Sequence, residues 1–434
     1  MTVLFHPLPI IDDVVAHRYQ SPELGGPLRP PLRRIAVADS LAGAEAELVA
    51  GLDLGPRLAV VGDENTWPVL GARIAAALPG AEAIILEHPK ADEANADLLQ
   101  ERTRHADGLI AVGSGTINDL CKYVTHRTGR RSAVFATAAS MDGYVTTTVS
   151  ITRDGFKLSL PAHAPAGVFV DLSVLVAAPL RMMRAGLGDT VCRTTAQVDW
   201  LLSHLLLDTV YAETPYRLLA EDEPRLYSLA HRLPERDLGA MLALARALIL
   251  SGLGVLVTNT SHCGSMGEHA ISHFIDTFAN PHPRTLHGEQ VGIATWSMAR
   301  LQTAMLASAE PPALSPMPID EARFARNYGR LATGCLEAVR RKPFDAAGTK
   351  RLERRLHDGW PVIRERLLSV MLPVAEIERV MGAAGAPLTA AGLGVDPALY
   401  RRAVGGAYEL RDRYCILDLA AQSERLADFA AGEG

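Results

Sequence analysis

The chain has 434 residues, of which 48% are hydrophobic and 21% charged, and its formal net charge at pH 7 is −6. At roughly 100–200 residues per domain, this length implies more than one domain, and the composition excludes disorder for the bulk of the chain. No long run of either sign stands out, so charge lends no support to a nucleic-acid or anionic-membrane surface.

The five cysteines, Cys121, Cys192, Cys263, Cys335 and Cys415, are scattered and form no CxxC pair. That pattern points to a reducing compartment and away from both a disulfide framework and a thiolate zinc knuckle. The opening MTVLFHPLPIIDDVVAHRY lacks a basic region and meets Asp12 and Asp13 early, so it does not read as a secretory signal. The longest apolar stretch, 241–257, is interrupted by Arg246 and falls short of the roughly 20 residues a bilayer span needs. A soluble, cytoplasmic protein is expected.

In chain order, residues 1–32 read as an irregular N-terminal extension ending in GGPLRPPLRR. Over 33–178, short strand-type runs alternate with helix-length stretches: RRIAVA, RLAVVG, AEAIILE, DGLIAVG, SAVFAT and GVFVDL. Runs that are apolar on both faces and separated in this way indicate a parallel sheet covered by helices. The segment YVTTTVSITRDGFKLSL breaks the pattern, with two alternating stretches joined at Arg153-Asp154-Gly155, a hairpin signal. After Pro179 the strand signals stop, and 179–434 reads as an all-helical domain.

The first chemical motif is GLIAVGSGTINDL, residues 108–120. A strand turns on Gly113-Ser114-Gly115 and enters a helix near Thr116. Glycines there let the backbone approach a diphosphate, and the amides of the helix N-terminus supply donors. The same Gly-x-Gly also serves tight packing alone. In RLAVVGDENT, Asp63 follows the second strand, where its carboxylate would bond a ribose hydroxyl or cap the helix beginning near Thr66.

Five of the fourteen histidines lie between His262 and His287. His269 and His273, spaced i, i+4, share one face of a helix, and His287 follows at a turn-like Leu-His-Gly. Such clustering beside a carboxylate favours a metal over satisfied core histidines. Asp189, in RAGLGDTVCR, is the acidic partner chosen. An Asp-His-His set leaves one position of a tetrahedral zinc open, as catalytic sites do.

The order GSGTIND, TAASMDGY, AGLGD, GEHAISHF, LHGEQVG resembles the iron-containing/zinc polyol dehydrogenase superfamily, which includes glycerol dehydrogenase and dehydroquinate synthase. Within it the chain looks most like the sn-glycerol-1-phosphate dehydrogenases. The likeness runs from Arg33 to Met298 and implies a Rossmann-like α/β domain followed by an all-α domain. It also implies that Asp189, His269 and His287 ligate the metal, that Gly113, Ser114 and Gly115 cradle the diphosphate, and that Thr137 lines the nicotinamide side. Asp63 would sit near the adenosine ribose, with Thr116, Asp119 and Thr146 completing the cofactor contacts. Asp142 would meet the substrate, and His273 would lie beside the metal without ligating it.

Departures narrow the choice. Iron-dependent alcohol dehydrogenases carry a fourth ligand, a histidine, four residues after the aspartate. That position is Arg193 here, so a four-ligand iron site is not expected. The glutamate and lysine-rich pocket of dehydroquinate synthases are not visible around Asp189. A phosphorylated substrate needs cations, and Lys157 and Arg193 are the candidates. The expected enzyme is a metal-dependent NAD(P)H oxidoreductase interconverting dihydroxyacetone phosphate and sn-glycerol 1-phosphate. Asp142 or His273 would handle the proton, and zinc, nickel or iron would suit the site. A homo-oligomer acting on a small substrate, with no nucleic-acid or membrane partner, is expected. A polyol dehydrogenase acting on an unphosphorylated substrate and an inert binding relative remain the alternatives.

Overall fold

The computed structural model of the chain describes residues 3–154 and 156–434. Its strands, in chain order, are β1 (Gln20–Ser21), β2 (Gly26–Pro27), β3 (Arg34–Ala38), β4 (Leu58–Asp63), β5 (Glu82–Leu86), β6 (Gly108–Gly113), β7 (Arg131–Ala136), β8 (Thr148–Arg153), β9 (Phe156–Pro161) and β10 (Gly167–Asp171). Six of them form one sheet, ordered β3-β10-β7-β6-β4-β5, in which every neighbouring pair is parallel. These are the six apolar runs expected from the sequence. The central strand β6 is buried along its whole length, as a strand covered on both faces must be. Aromatic packing continues across strands, with the Phe135 and Phe169 rings 4.8 Å apart.

The order contains one reversal. From β4 the chain steps outward to β5, then returns past β4 to β6. Open α/β sheets bind ligands outside the carboxyl ends of their strands at such a switch point. Asp63 closes β4 and Gly113 closes β6, and the two strands run in register, with Leu58 opposite Gly108 and Val61 opposite Ala111. Sheet topology alone therefore sets these two motifs side by side.

The hairpin also forms: β8 and β9 pair antiparallel from Thr148↔Pro161 to Arg153↔Phe156. Asp154 has φ of 51°, the left-handed region a two-residue turn demands. Gly155, the last residue of the expected turn, lies outside the described residues. Among the described residues no strand follows β10.

Chain contacts sort the protein into two compact units. The first runs to Thr190 and takes in Ala212–Thr260, while the second comprises Val191–Tyr211 and Ser261–Gly434. The units thus divide differently from the 178/179 boundary drawn on the sequence. The helices Leu180–Val191 and Leu238–Thr258 pack against the α/β part because glycines let them come close. A Cβ on Gly186 would stand 2.1 Å from the Ala139 carbonyl oxygen, and one on Gly252 would stand 2.3 Å from that of Asp142.

Two further expectations need correction. Residues 1–32 are not wholly irregular: Pro9–Val15 is helical and buries Ile11 and Val14 completely, β1 pairs with β2, and Phe5 bridges to Ala38 on the edge strand β3. Leu8, Ile11 and Val14 supply the apolar i, i+3 spacing that drives this. The apolar stretch around Arg246 extends to a 21-residue helix, long and apolar enough to cross a bilayer, but 83% of its most apolar window is buried. Arg246 does not interrupt it, because the guanidinium is neutralised laterally by Asp222 at 2.6 and 3.1 Å.

Two opposing effects make Gly252 a test of this packing. Replacing a mid-helix glycine by alanine gains about 1 kcal/mol in propensity, whereas overpacking against a fixed carbonyl costs about 1–3 kcal/mol. Gly252→Ala should therefore lower the melting temperature. Gly334→Ala, where a Cβ meets nothing within 4 Å, should leave it unchanged or raise it. A stabilised Gly252→Ala protein would contradict the close approach.

Candidate functional site

In the first unit, β6 feeds the helix Gly115–Thr128, with Ser114 as its N-cap. Ser114 makes no side-chain cap bond, so the first-turn amides are not capped by its hydroxyl. The two glycines of Gly113-Ser114-Gly115 serve different ends. A Cβ on Gly113 would lie 2.6 Å from Ile117 Cβ, so this glycine is needed for strand and helix to pack together. Beside Gly115 the nearest atom to such a Cβ is Met141 Cγ at 3.9 Å, which leaves the backbone approachable where Thr116 begins the helix. Thr137, the residue after β7, is buried and donates its amide to the Gly113 carbonyl at 3.1 Å.

Asp63 acts locally as a cap. Its Oδ1 accepts from the amides of Asn65 (2.9 Å) and Thr66 (2.8 Å), ahead of the helical turn Trp67–Gly71. Asp119 holds the hairpin: Oδ2 accepts the Ser150 amide at 2.9 Å, and burial pushes its carboxyl pKa up against the pull of Lys122 and of Lys157.

Lys122 was not singled out from the sequence, yet it organises the loop between β7 and β8. Its ammonium is almost fully buried and donates to the Gly143 carbonyl (2.8 Å), Thr146 Oγ1 (3.0 Å) and the Thr148 carbonyl (2.9 Å). Burial brings it down to about 8, against the opposing charges of Asp119 and Asp142. Thr146 is thus bound to a lysine and to backbone carbonyls within its own loop. From the other side of that loop, Tyr144 donates to the Ala138 carbonyl at 2.7 Å.

Asp142 lies in the same loop. Its amide donates to Asp189 Oδ2 at 3.0 Å, and its own Oδ2 accepts from Ser251 Oγ at 2.7 Å. Asp189 is buried on the helix Leu180–Val191. Arg193 does not continue that helix. Cys192, a one-residue turn with φ of −58° and ψ of −24°, separates it from the helix Arg193–Leu207, whose first residue Arg193 is 1% exposed. Around this turn three threonine hydroxyls bond backbone carbonyls: Thr190 to Gly186, Thr194 to Val191 and Thr195 to Cys192, each at 2.9 Å.

In the second unit, His269 and His273 lie on the helix Gly267–Phe278, and His287 opens the helix His287–Leu306 instead of sitting in a turn. The His269 and His287 rings are 5.0 Å apart, and His273 stands 6.4 and 6.3 Å from them. The fully buried Glu268 lies 3.0 Å from His269 Nδ1. A carboxylate only accepts, so Nδ1 carries the proton and the lone pair sits on Nε2. Ser272 Oγ donates to Gln290 Oε1 at 2.8 Å and so accepts from His287 Nδ1 at 3.2 Å, which fixes the same tautomer there. Both imidazoles therefore present Nε2, the arrangement of metal ligands.

Cys192 Sγ also approaches Glu268 and His269, their ligand atoms lying within 4.8 Å of one another. With Nδ1 of His269 committed to Glu268, this nitrogen has no lone pair to offer a metal among these three residues. Burial raises Glu268, but the bonds from His269 and the Met266 amide outweigh it and hold the carboxyl below its ordinary value. Asp199, also missed in the sequence, accepts the Gly267 and Ile416 amides at 3.2 Å each and so anchors the start of the His269 helix.

The parallel sheet and the helices that follow it are the frame in which the comparisons with known proteins fall. Residues 36–179 match the family model described as iron-containing alcohol dehydrogenase. The fold is shared with a probable glycerol dehydrogenase from Sinorhizobium meliloti (TM-score 0.57, 19% identity, 92% of this chain and 96% of that one). The sequence relatives are named more narrowly, and the resemblance read from the motifs holds. Glycerol-1-phosphate dehydrogenase (NAD(P)+) of Halalkalibacterium halodurans is 28% identical over 379 residues, covering 82% of this chain and 84% of that protein. The protein of that name from Haloquadratum walsbyi is 26% identical, covering 89% and 91%.

The buried lysine gives a pH signature. Its ordinary value is 10.5 and its folded value about 8, so between those limits the unfolded chain binds the extra proton and stability rises with pH. Measured against Lys122→Met by denaturant midpoint, the wild-type protein should gain relative stability from pH 8 to 10.5. A flat or falling difference would mean that the amine is not held charged in a dry site.

Proposed function

We propose that this chain is a metal-dependent NAD(P)H oxidoreductase that interconverts dihydroxyacetone phosphate and sn-glycerol 1-phosphate, acting as a cytoplasmic homo-oligomer with no nucleic-acid or membrane partner. The observation that carries the reading is the agreement between relatives of that name along most of the chain and two imidazoles held as Nε2 donors. Five buried free cysteines accord with a reducing compartment.

In this reading, residues 33–178 bind the dinucleotide across the ends of β4 and β6. The diphosphate lies at Gly113, Ser114, Gly115 and Thr116, where the bare Gly115 leaves room for it. Asp63 faces the ribose and Thr137 the nicotinamide side, while Asp119 and Thr146 shape the loop behind them. Asp189, His269 and His287 hold a divalent metal. The donor set suits zinc, nickel or iron, and a metal bound there supplies Lewis acidity that polarises the substrate carbonyl toward hydride. Asp142, its Oδ2 oriented by Ser251, or His273 holds the proton exchanged with the substrate oxygen. Lys157 and Arg193 supply positive charge for the phosphate.

A dihydroxyacetone phosphate/NADH assay with metal analysis of the purified protein tests the whole reading: neither metal nor turnover would leave an inert relative, and turnover of glycerol alone a polyol dehydrogenase. His269→Ala and His287→Ala should each abolish turnover and metal retention in a folded protein. Asp189→Asn should weaken metal binding, and Glu268→Gln should do so by about 10- to 100-fold through loss of the outer bond to His269. Gly115→Leu should raise the KM for NAD(P)H far more than that for the carbonyl substrate. The opposite ordering would remove the diphosphate from that turn.

A further inference from the structure

We propose that Arg411 and Arg413, with His262 beside them, form an anion seat in the second unit that takes the phosphate group of the substrate. This rests on the proposed glycerol-1-phosphate dehydrogenase reading and adds to the charge of Lys157 and Arg193 a seat for the phosphate that the motifs did not suggest.

The two arginines flank Asp412 in a stretch without helix. Both reach the turn that leads into the His269 helix. Arg411 Nη1 donates to Ser265 Oγ at 3.0 Å, to its carbonyl at 3.4 Å and to the Met266 carbonyl at 3.5 Å. Arg413 donates from Nη1 to the Ser265 carbonyl and from Nη2 to Ser261 Oγ at 2.8 Å. Every one of these acceptors is neutral.

Among the described residues neither guanidinium has a carboxylate within ion-pair distance. Asp412, between them, instead meets Arg341 at 2.9 Å. The other acid acting on both is Glu268, whose oxygens already serve the Met266 amide, Thr195 Oγ1 and His269. Two cations are thus drawn together around one turn by hydrogen bonds that leave their charge uncompensated at contact range. Their effect reaches His262, next to Ser261: burial, Arg413 and Arg411 together push its imidazole down to about 3, so it remains neutral.

Forked guanidiniums with donors to spare match the oxygens of a phosphate dianion. The turn they grip runs directly into Gly267, Glu268 and His269. Arg411 thus holds the Met266 carbonyl, three residues before a proposed metal ligand, and the substrate carries its phosphate on the carbon next to the reacting C2. Neither residue was noticed in the sequence, because Arg-Asp-Arg lies almost 150 residues beyond the turn it serves.

The test compares Arg411→Gln and Arg413→Gln with wild type on dihydroxyacetone phosphate and on dihydroxyacetone, with metal content and melting temperature recorded. Loss of a charge-assisted hydrogen bond predicts that the ratio of the two kcat/KM values falls about 10- to 150-fold in each variant. Inorganic phosphate should inhibit wild type competitively against dihydroxyacetone phosphate and lose potency in both variants. Arg413→Lys, which keeps the charge without the fork, should recover part of the ratio. An unchanged ratio, even with lower activity on both substrates, overturns the seat and leaves the arginines as braces of the turn. If wild type itself prefers dihydroxyacetone, the functional reading fails. Phosphate inhibition then judges the seat separately: inhibition lost in the variants upholds an anion site, and its absence in wild type overturns one.

Discussion

A neutral imidazole carries one proton on two nitrogens, so a histidine can offer a lone pair to a metal from one nitrogen only if the other is given a hydrogen-bond acceptor. Much of the second unit follows from meeting that condition twice. Glu268 meets it for His269, and the cost of burying a carboxylate completely is offset by the Met266 amide and Thr195 Oγ1. Those bonds tie the turn before the helix, and the helix Arg193–Leu207, to the same oxygen pair. For His287 the acceptor is a hydroxyl, which needs an acceptor of its own. Gln290 takes that role, and its amide group is in turn held by Asp276 and Thr285 at 2.9 and 2.8 Å. The two imidazoles thus acquire one tautomer by different routes, one ending in a buried charge and the other in a neutral relay.

In the first unit the corresponding constraint is a loop that must be both buried and polar. Residues 138–146 leave β7 and carry Asp142, and irregular backbone packed beneath a helix has carbonyls that no ladder satisfies. Lys122 answers for three acceptors from below, and Tyr144 turns back to Ala138. Gly252 and Gly186 answer from above by removing the side chains that would hold two helices away. The close approach brings Ser251 within reach of Asp142 and lets Asp189 accept the Asp142 amide. The carboxylates at 142 and 189 are therefore positioned through backbone packing, and a change at a glycine here acts on their geometry without touching either.

What was legible in the sequence was whatever depended on near neighbours. The six sheet strands showed because interior parallel strands need continuous apolar runs, and His269 with His273 because helical spacing is local. Helix Pro9–Val15 was passed over because Pro7 and Pro9 lead into it and the spacing of Leu8, Ile11 and Val14 ends before it can repeat further. Asp199 and the Arg411–Arg413 pair were invisible for another reason: their partners lie far along the chain, Ile416 for Asp199 and Ser265 for the arginines. No spacing rule reaches across such distances.

The Gly-x-Gly turn and Asp63 show why a local motif leaves function open even when it is found. Gly113 and Gly115 look equivalent in sequence, yet one is required by Ile117 and the other faces space, so the packing reading accounts for the first glycine and leaves the second unexplained. For Asp63 the cap and the ribose readings are likewise not exclusive. The Asn65 and Thr66 amides engage Oδ1 and so fix the plane of the carboxylate at the end of β4, beside the end of β6. A carboxylate already held in one orientation loses little rotamer freedom when its second oxygen meets a diol, which is the saving that preorganised sites exploit. The cap, on this argument, is what would make Asp63 an effective reader of the ribose.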